Sequence, residues 1–350
     1  MPPIEIDGAR GGGQLLRMGL ALATVSRQPI RFVNIRGGRP RPGLAAQHLT
    51  AVRALASVCD ARVTGDALGS QTLLFEPGDL APPPEMSVDI GTAGSITLVL
   101  QALLPCLAQA SEAVSVTLQG GTNVPWSPPV EFVQTVLLPL LGRMGYRAEV
   151  HLGARGFYPR GGGTAKVLSW PAPALRGLTL LERGAVQRIT GVAFRARLPA
   201  HITERMVSAA SDALQRAGHP APEIAASDDS PSVGAGCGLV LFAECEGGIL
   251  CGAGLGQRGT PAEQVGTEAA QMLIADLATG AACDRFLGDQ LVIWCALARG
   301  ASQYTAARRT EHLSSACDLA ERILGRRFEL TGDGPVTVRC GEASRERAAC

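Results

Sequence analysis

The chain has 350 residues, of which 46% are hydrophobic and 18% charged, so it can bury a substantial core and is not predominantly disordered. Its length fits two domains or one large one. Lys and Arg number 32 and Asp and Glu 31, which gives a net charge of only +1, so any basic surface for nucleic acid has to be local.

Strand-like and helix-like patterns alternate from the N-terminus. Residues 4–6, 29–35 and 72–75 favour strands, whereas residues 14–26 and 45–59 carry apolar side chains at helical spacing. This alternation predicts an α/β or α+β fold.

A weak internal repeat consists of a glycine, one or two polar residues and a Leu-rich run, starting at Gly12, Gly94 and Gly288. The intervals are 82 and 194 residues, so the second exceeds the first by 112. We interpret this as three similar units, the third interrupted by an insertion, although Leu-rich helices after glycine also recur by chance.

These intervals predict a large domain of residues 1–183 and 280–339 and a small inserted α/β domain of residues 184–279. Residues 340–350 have no apolar period and are expected to be a disordered tail. Within the insertion we expect strands at 191–198, 239–245 and 249–254, helices at 203–217 and 261–277, and a loop at 228–238.

The ten cysteines form no C-x-x-C pair, which argues against structural zinc and thioredoxin-like chemistry and predicts buried, reduced thiols. The N-terminal residues 1–13 do not have the pattern of a signal peptide. The longest apolar stretch, residues 96–110, contains Gln101 and Pro105 and is shorter than the ~20 residues of a membrane span. We therefore expect a soluble, cytoplasmic protein without a membrane partner.

Two N-terminal motifs suit anions. Glycines 11–13 lie between a predicted strand and a predicted helix, where backbone N–H groups bind phosphate, or where the chain simply turns. Arg36, Arg39 and Arg41 follow in a Gly/Pro-rich loop, and their guanidinium groups suit phosphate oxygens, unless the loop is merely solvated.

Three further loops carry aromatic or polar groups. The loop in residues 120–132 is rich in Gly and Pro and carries Trp126, which could help to sandwich a base, although a structural turn is the simpler interpretation. Residues 157–163 form another glycine cluster with a cation. In residues 286–290, the pair of Asp289 and Gln290 could contact ribose or a base, or Asp289 could cap a helix.

His312 is the candidate nucleophile. Ser315 and Asp318 have the [ST]-x-x-[DE] pattern that starts helices, which places His312 just before a helix N-terminus. There the helix dipole disfavours the imidazolium and leaves a nitrogen lone pair available as nucleophile or base. Arg308 and Arg309 act in the same direction and could hold phosphates. A purely structural role is the alternative for any single histidine.

Together these segments resemble the RNA 3′-terminal phosphate cyclase family. The matching stretches follow the family's order and cover nearly the whole chain apart from the insertion and the tail; they are IDGARGGGQLLR, IRGGRPRPGLAAQHLTAV, GSQTLLFEPG, GTAGSITLVLQALLP, GGTNVPWSPP, GFYPRGGG, FLGDQLV and TEHLSSACDLAERIL. The resemblance implies an α+β fold, an α/β sandwich. Its large domain has three repeated units of two helices on a four-stranded sheet, like the C-terminal domain of translation initiation factor three, and a small α/β domain is inserted in the third.

The resemblance also implies a reaction with ATP and RNA that carries a 3′-phosphate. A histidine attacks the α-phosphorus of ATP and becomes adenylated, AMP moves to the RNA 3′-phosphate, and the neighbouring 2′-hydroxyl closes a 2′,3′-cyclic ester. Carried over by position, the nucleophile is His312. The implied ATP-binding positions are Gln14, Gln101, Phe286, Leu287, Gly288, Asp289 and Gln290, with Pro128 and Phe132 beside the adenine. The implied phosphate- or RNA-binding groups are Gln14, Arg17, Arg36, Arg39 and Gln47.

Two departures from the family pattern matter. Arg10 stands where the family has a glutamate that looks like a metal contact, and the loop is about two residues shorter, so the ligands of the expected divalent metal, Mg²⁺ or Mn²⁺, are unknown. Phe286 stands where the family often has a tyrosine; it keeps the aromatic face for stacking and lacks the hydroxyl. The first departure favours a noncatalytic RNA-binding relative as the alternative, whereas His312, which such relatives lack, favours the enzyme. Enolpyruvyl transfer is a third, poorly matching hypothesis, and the oligomeric state is not predicted.

Overall fold

The computed structural model describes residues 1–9 and 12–341, and at residues 227–229 it describes only the backbone. The strands are β1 (Ile4–Asp7), β2 (Ile30–Val33), β3 (Arg62–Thr64), β4 (Leu73–Glu76), β5 (Glu85–Asp89), β6 (Val114–Gly120), β7 (Ala148–Ala154), β8 (Gly163–Ser169), β9 (Thr179–Leu180), β10 (Val186–Ala196), β11 (Glu223–Asp229), β12 (Gly236–Cys245), β13 (Ile249–Leu255), β14 (Ser302–Ala306), β15 (Phe328–Thr331) and β16 (Val336–Cys340). The helices are α1 (Gly12–Ser26), α2 (Ala46–Cys59), α3 (Ile96–Ala108), α4 (Val130–Phe132), α5 (Leu138–Arg143), α6 (His201–Arg216), α7 (Ala262–Leu277), α8 (Arg285–Leu297) and α9 (Glu311–Leu324), with a π-helical turn at Val133–Leu137 between α4 and α5.

Four mixed four-stranded sheets form in the described part of the chain, and three of them share one strand order. These three sheets run β1-β2-β4-β3, β5-β6-β8-β7 and β9-β14-β16-β15. In each, the first two strands are parallel and the other neighbours are antiparallel. The predicted mixture of helices and strands is confirmed.

The fourth sheet lies in the chain between β9 and α8 and has a different order, β11-β10-β12-β13. It has hydrophobic clusters of its own with α6 and α7. The predicted loop at 228–238 is wrong at both ends, because β11 runs to Asp229 and β12 begins at Gly236. The Ser/Gly/Pro composition marks only the connection between two paired strands.

The core explains the long apolar stretch that the sequence shows near residue 100. In α3 nearly every side chain is buried, and α3 packs against α1, which in turn packs against α9. Leu20, Ala21, Leu22 and Ala23 of α1 are fully buried, and the small alanines let neighbouring helices approach closely. No helix in the described ranges is long and apolar enough to cross a membrane.

The cysteine prediction is confirmed for the nine thiols that the structure describes, all of which are free and buried. Burial raises the pKa of these thiols, for example that of Cys295 to about 12, so they pack as small hydrophobic side chains. Cys350 and nearly all of the predicted tail lie outside the described residues.

Candidate functional site

A narrow cleft lies where α1, α3 and α8 come together. Its lining comprises Gln14, Arg17, Met18, Gln101, Leu104, Leu137, Asp289, Gln290, Ile293 and Trp294. Five of these were predicted from the sequence, and residues more than 270 positions apart in the chain share one surface. The enclosed volume is only about 30 Å³, room for one or two waters, so a nucleotide has to extend beyond it.

Arg17 is a buried cation with unused hydrogen-bonding capacity. The residue is 8% exposed, and its guanidinium donates one long hydrogen bond, Nη2 to Gln101 Oε1 at 3.3 Å. Its Nε is buried and finds no partner in the described part of the chain. Burial lowers its pKa to about 10, so it remains charged at neutral pH. A charged, incompletely bonded guanidinium on the wall of a cleft favours an anionic ligand.

His48, which the sequence analysis did not single out, lies beneath the start of α1. A Cβ added at Gly13 would overlap His48 Nε2 and come within 3.0 Å of Arg17 Nη1. His48 Nδ1 accepts the Ala45 N–H at 3.2 Å, which places the ring proton on Nε2. Burial, Arg17 and Arg36 lower the pKa of His48 to about 3, so the ring is neutral. Position 13 requires glycine because the His48 ring lies too close to leave room for a side chain. Only the fold reveals this contact.

Two arginines of the predicted loop, Arg36 and Arg39, make different contacts. Arg36 Nη1 donates to the Gly43 carbonyl at 2.8 Å, and burial, with the nearby charge of Arg39, lowers the pKa of Arg36. Arg39 Nη2 lies 3.5 Å from the position of a Cβ on Gly12, so this guanidinium sits over the N-terminus of α1. Arg36 therefore stabilises the loop. Arg39 faces the N-terminus of α1, where the guanidinium and the free N–H groups of the helix both suit an anion.

A chain of hydrogen bonds connects Gln47 to the proline-rich loop. Gln47 Oε1 accepts the Ser95 N–H at 3.1 Å, the hydroxyls of Ser95 and Thr97 are 2.8 Å apart, and the Thr97 hydroxyl donates to the Pro128 carbonyl at 2.8 Å. Gln47 and Pro128 are thereby held in place. Phe132 is only 1% exposed and offers little surface to a ligand.

The helix that carries His312 begins earlier than predicted. Thr310 is its N-cap, and its Oγ1 accepts the Leu313 N–H at 2.9 Å. The prediction that Ser315 starts the helix is wrong, since Ser315 already lies within α9 and donates to the Glu311 carbonyl at 2.8 Å. His312 therefore lies in the first turn instead of before it, where the helix dipole still disfavours a positive ring.

The surroundings of His312 keep its ring neutral. The side chain is half-buried, and its Nδ1 is fully covered and unpartnered among the described residues. Burial lowers the pKa of His312, the charges of Arg17 and Arg39 lower it further, and Glu311 opposes them. A neutral imidazole has a nitrogen lone pair that can attack an electrophilic phosphorus. The positive charges of Arg17 and Arg39 would attract the negative oxygens of the same phosphate.

Asp289 does not cap α8, so that alternative is wrong. The N-cap is Asp284, whose Oδ1 accepts the N–H groups of Phe286 at 2.9 Å and Leu287 at 2.8 Å. Asp289 lies one turn further along, accepts a hydrogen bond from the Thr310 hydroxyl, and has its pKa raised to about 7 by burial. Its role is to join α8 to the start of α9.

The remaining residues of the 286–290 segment face different ways. Phe286 is 44% exposed and presents an aromatic face, whereas Leu287 is buried. Gly288 is buried too, and a Cβ there would lie 2.6 Å from Ala306 Cβ. Gln290 Oε1 is buried at the cleft and has no partner in the described ranges, so it can accept a hydrogen bond from a ligand.

The described residues contain no group of three or more His, Cys, Asp or Glu side chains that could hold a metal ion. Arg10, which stands in place of the glutamate of the family pattern, lies outside the described residues, as does Gly11.

Comparison with known proteins finds a family that matches most of the chain. The family model described as RNA 3′-terminal phosphate cyclase matches residues 9–330. Proteins named RNA 3′-terminal phosphate cyclase from Thermococcus gammatolerans and Hyperthermus butylicus are 45% and 46% identical over 332 and 318 residues; these alignments cover 94% and 88% of this chain and 95% and 88% of theirs. The relative from Pyrobaculum neutrophilum is 42% identical, with 95% of this chain and 96% of its own covered.

Among solved structures, the enolpyruvyl transferase NikO from Streptomyces tendae aligns with 97% of this chain and 48% of its own. The TM-score is 0.37 and the sequence identity 11%, too low to bear on fold or function.

Proposed function

The chain belongs to the RNA 3′-terminal phosphate cyclase family, and on that premise we propose that it converts RNA 3′-phosphate ends to 2′,3′-cyclic phosphates with ATP. The observation that carries the chemistry is a neutral, half-buried His312 under the influence of Arg17 and Arg39. A noncatalytic relative that only binds RNA is the alternative from the sequence, and Arg10 favours it; the presence of a neutral His312 favours the enzyme.

In the first step a ring nitrogen of His312 attacks the α-phosphorus of ATP. Nε2 is the attacking nitrogen, because Nδ1 has no accessible surface. A nitrogen–phosphorus bond forms, the bond from the α-phosphorus to the bridging oxygen breaks, and pyrophosphate leaves. Arg17, Arg39 and the N–H groups that start α1 counter the charge of the phosphates.

In the second step an oxygen of the RNA 3′-phosphate attacks the phosphorus of the histidine-bound AMP, and the nitrogen–phosphorus bond breaks, which returns the ring to its neutral form. In the third step the 2′-hydroxyl oxygen attacks the 3′-phosphate phosphorus and loses its proton. A cyclic ester forms and AMP leaves. The low pKa of His312 suits both roles, since a weakly basic imidazole is also a good leaving group.

Orphaned polar atoms support the proposed placement of ATP. Among the residues that the structure describes, Arg17 Nε and Gln290 Oε1 are buried without partners, and both residues line the same cleft. A donor and an acceptor left open there suit a polar, anionic nucleotide. The ATP contacts implied for Gln14, Gln101, Phe286 and the other sequence-predicted positions remain predictions within this proposal.

Dependence on Mg²⁺ or Mn²⁺ also remains a prediction. The described residues contain no group of three or more His, Cys, Asp or Glu side chains at which to place the ion. Self-adenylation measured after EDTA treatment and again after adding back each ion tests this dependence directly.

The proposal includes the architecture and location expected from the sequence. The recurring strand order supports three repeated units like the C-terminal domain of translation initiation factor three, in residues 1–183 and 280–339. The separate sheet and clusters support an inserted domain at 184–279. The cytoplasmic location stays a prediction.

Incubation with ATP labelled at the α-phosphorus tests the function. We expect an acid-labile, labelled protein, and no label from ATP labelled at the γ-phosphorus. His312→Ala should abolish labelling, whereas His201→Ala, which removes an exposed histidine, should not. Labelling that survives His312→Ala contradicts the proposal, and RNA binding without any ATP turnover would favour the noncatalytic alternative.

A further inference from the structure

Trp126 is a large aromatic side chain in an unusual setting. It is 98% exposed, and its backbone has a positive φ of 60°. Exposure of the indole forgoes hydrophobic stabilisation, and a bulky residue rarely adopts left-handed backbone. Two local penalties at one residue outside the cleft indicate a role that folding does not explain.

The loop that presents Trp126 is anchored to a buried network. Ser127 Oγ donates to the Val124 carbonyl at 2.9 Å and closes the turn. Just before the turn, Asn123 Nδ2 donates to Glu131 Oε2 at 2.8 Å, and the other carboxylate oxygen binds Arg155 Nη1 at 2.5 Å. These hydrogen bonds hold the backbone on both sides of Trp126, and a rigid backbone is what a binding residue requires.

Beside Trp126 is a second cavity of about 530 Å³, lined by Pro125, Trp126, Leu255, Gln257, Met272, Arg308 and other residues of β13 and α7. This volume lies within the ~300–1,000 Å³ of typical ligand pockets. Its lining has no residue in common with that of the Arg17 cleft, so one substrate can occupy each.

Arg308 gives this cavity a cation. It is exposed and makes no hydrogen bond or ion pair within the described ranges, whereas Arg285 at the same cavity is bound to the buried Asp276. The carboxylate of Glu268 also lines the cavity and accepts from Gln264 Nε2 at 2.8 Å. Arg308 precedes the nucleophilic histidine by only four residues, a chain segment that spans at most about 14 Å.

We propose that this cavity binds the nucleotides just upstream of the RNA 3′-phosphate, with a base stacked on Trp126 and a phosphodiester held by Arg308. The inference rests on the proposed function and adds a binding subsite to it. Aromatic stacking tolerates any base, and one arginine neutralises one phosphate. The subsite therefore binds single-stranded RNA without regard to its sequence. RNA is favoured over the base of ATP because the cavity is separate from the cleft of orphaned polar atoms.

The test separates ATP chemistry from RNA recognition. Trp126→Asn removes the ring while Asn tolerates the positive φ, and Trp126→Phe keeps a stacking face. For a five-nucleotide RNA 3′-phosphate we expect Trp126→Asn to raise KM ~10-fold and Trp126→Phe to keep most of the affinity. For a nucleoside 3′,5′-bisphosphate, which has no upstream base, KM should not change. Self-adenylation should match that of the unmodified protein.

Arg308 has its own readout. Arg308→Ala should reduce the slope of log affinity against log salt for the five-nucleotide RNA by about 0.7, the value for one phosphate contact on a single strand. Arg216→Ala, which removes an exposed arginine of α6, should leave that slope unchanged.

Two outcomes overturn the subsite. Slower self-adenylation or a raised KM for ATP in Trp126→Asn would assign the cavity to the nucleotide, and an unchanged KM for the five-nucleotide RNA would assign Trp126 to some other partner. If the unmodified protein is neither adenylated nor active, the proposed function fails separately. Equilibrium binding of the same RNA to the same variants then decides the subsite.

Discussion

The Thr310 hydroxyl donates a 2.6 Å hydrogen bond to Asp289 Oδ1, and the oxygen of that hydroxyl, Thr310 Oγ1, accepts the Leu313 N–H. One side chain thus caps the helix of His312 and binds that cap to α8. The start of α9, and with it the position of His312, depends on a contact between two helices from separate parts of the chain.

Thr310→Val keeps the shape of the side chain and removes both hydrogen bonds. We expect a loss of about 1–3 kcal/mol in the free energy of unfolding, measured by urea denaturation, and slower self-adenylation because His312 is less firmly placed. Thr310→Ser retains the hydroxyl and should behave nearly as the unmodified protein. Equal losses in both variants would show that the methyl group, and not the hydroxyl, matters.

Glu311 is the charge that raises the pKa of His312 against burial and the two arginines. We expect the rate of self-adenylation to fall as the pH drops through this pKa, because the proposed attack needs the neutral ring. Glu311→Gln removes the opposing charge, so the acidic limb of the pH profile should move to lower pH. A limb that moves to higher pH, or stays in place, would mean that another group limits the rate.

Asp289 gives stability a dependence on pH. Burial raises its pKa from 3.8 to about 7, so the folded state keeps a proton that the unfolded state releases between these values. Its contribution is fully present below pH ~4 and is lost as the pH rises toward ~7, by on the order of a few kcal/mol.

Asp289→Asn should therefore flatten the decline of the urea midpoint between pH 4.5 and 7.5, since the amide oxygen can still accept from Thr310. Asp284, whose pKa burial raises to about 6, acts in the same direction, so part of the decline should remain. A decline as steep as in the unmodified protein would contradict the assignment to Asp289.

Gly13→Ala tests the close approach at the start of α1. The new Cβ would overlap His48 Nε2 and crowd Arg17 Nη1, so we expect self-adenylation to fall by ~10-fold or more, as for misplaced catalytic groups. Gly142→Ala is the matched control, because a Cβ there meets nothing within 4 Å and the change should stabilise α5 by up to ~1 kcal/mol. Full activity in Gly13→Ala would show that the loop adapts freely.

The pair of Glu131 and Arg155 is nearly fully buried. Glu131→Gln leaves Arg155 as a buried, unpaired charge and should cost about 3–5 kcal/mol in urea unfolding. Adding Arg155→Met removes that charge and should recover part of the loss, although Asn123 and Ser230 lose a partner. A double variant no more stable than the single one would exclude charge burial as the cause.

Local patterns were enough to find most elements and the chemical groups of the site. Alternating and helical spacings located α1, α2 and the strands beside them, and glycines before a helix together with closely spaced arginines predicted an anion-binding region. The same patterns missed β11 and misplaced the start of α9, because the pattern of Ser315 and Asp318 indicated a later start than the actual cap, Thr310.

By itself the sequence determined the residue types, the alternation of elements and the family, because these depend on neighbours within one or two turns and on ordered motifs. Only the tertiary structure decided that His48 lies under Gly13, that Arg17 meets Gln101, that Phe132 is buried and that Trp126 is exposed. Such contacts arise when helices from different parts of the chain pack together, and no local pattern specifies the partner that a side chain meets across that packing.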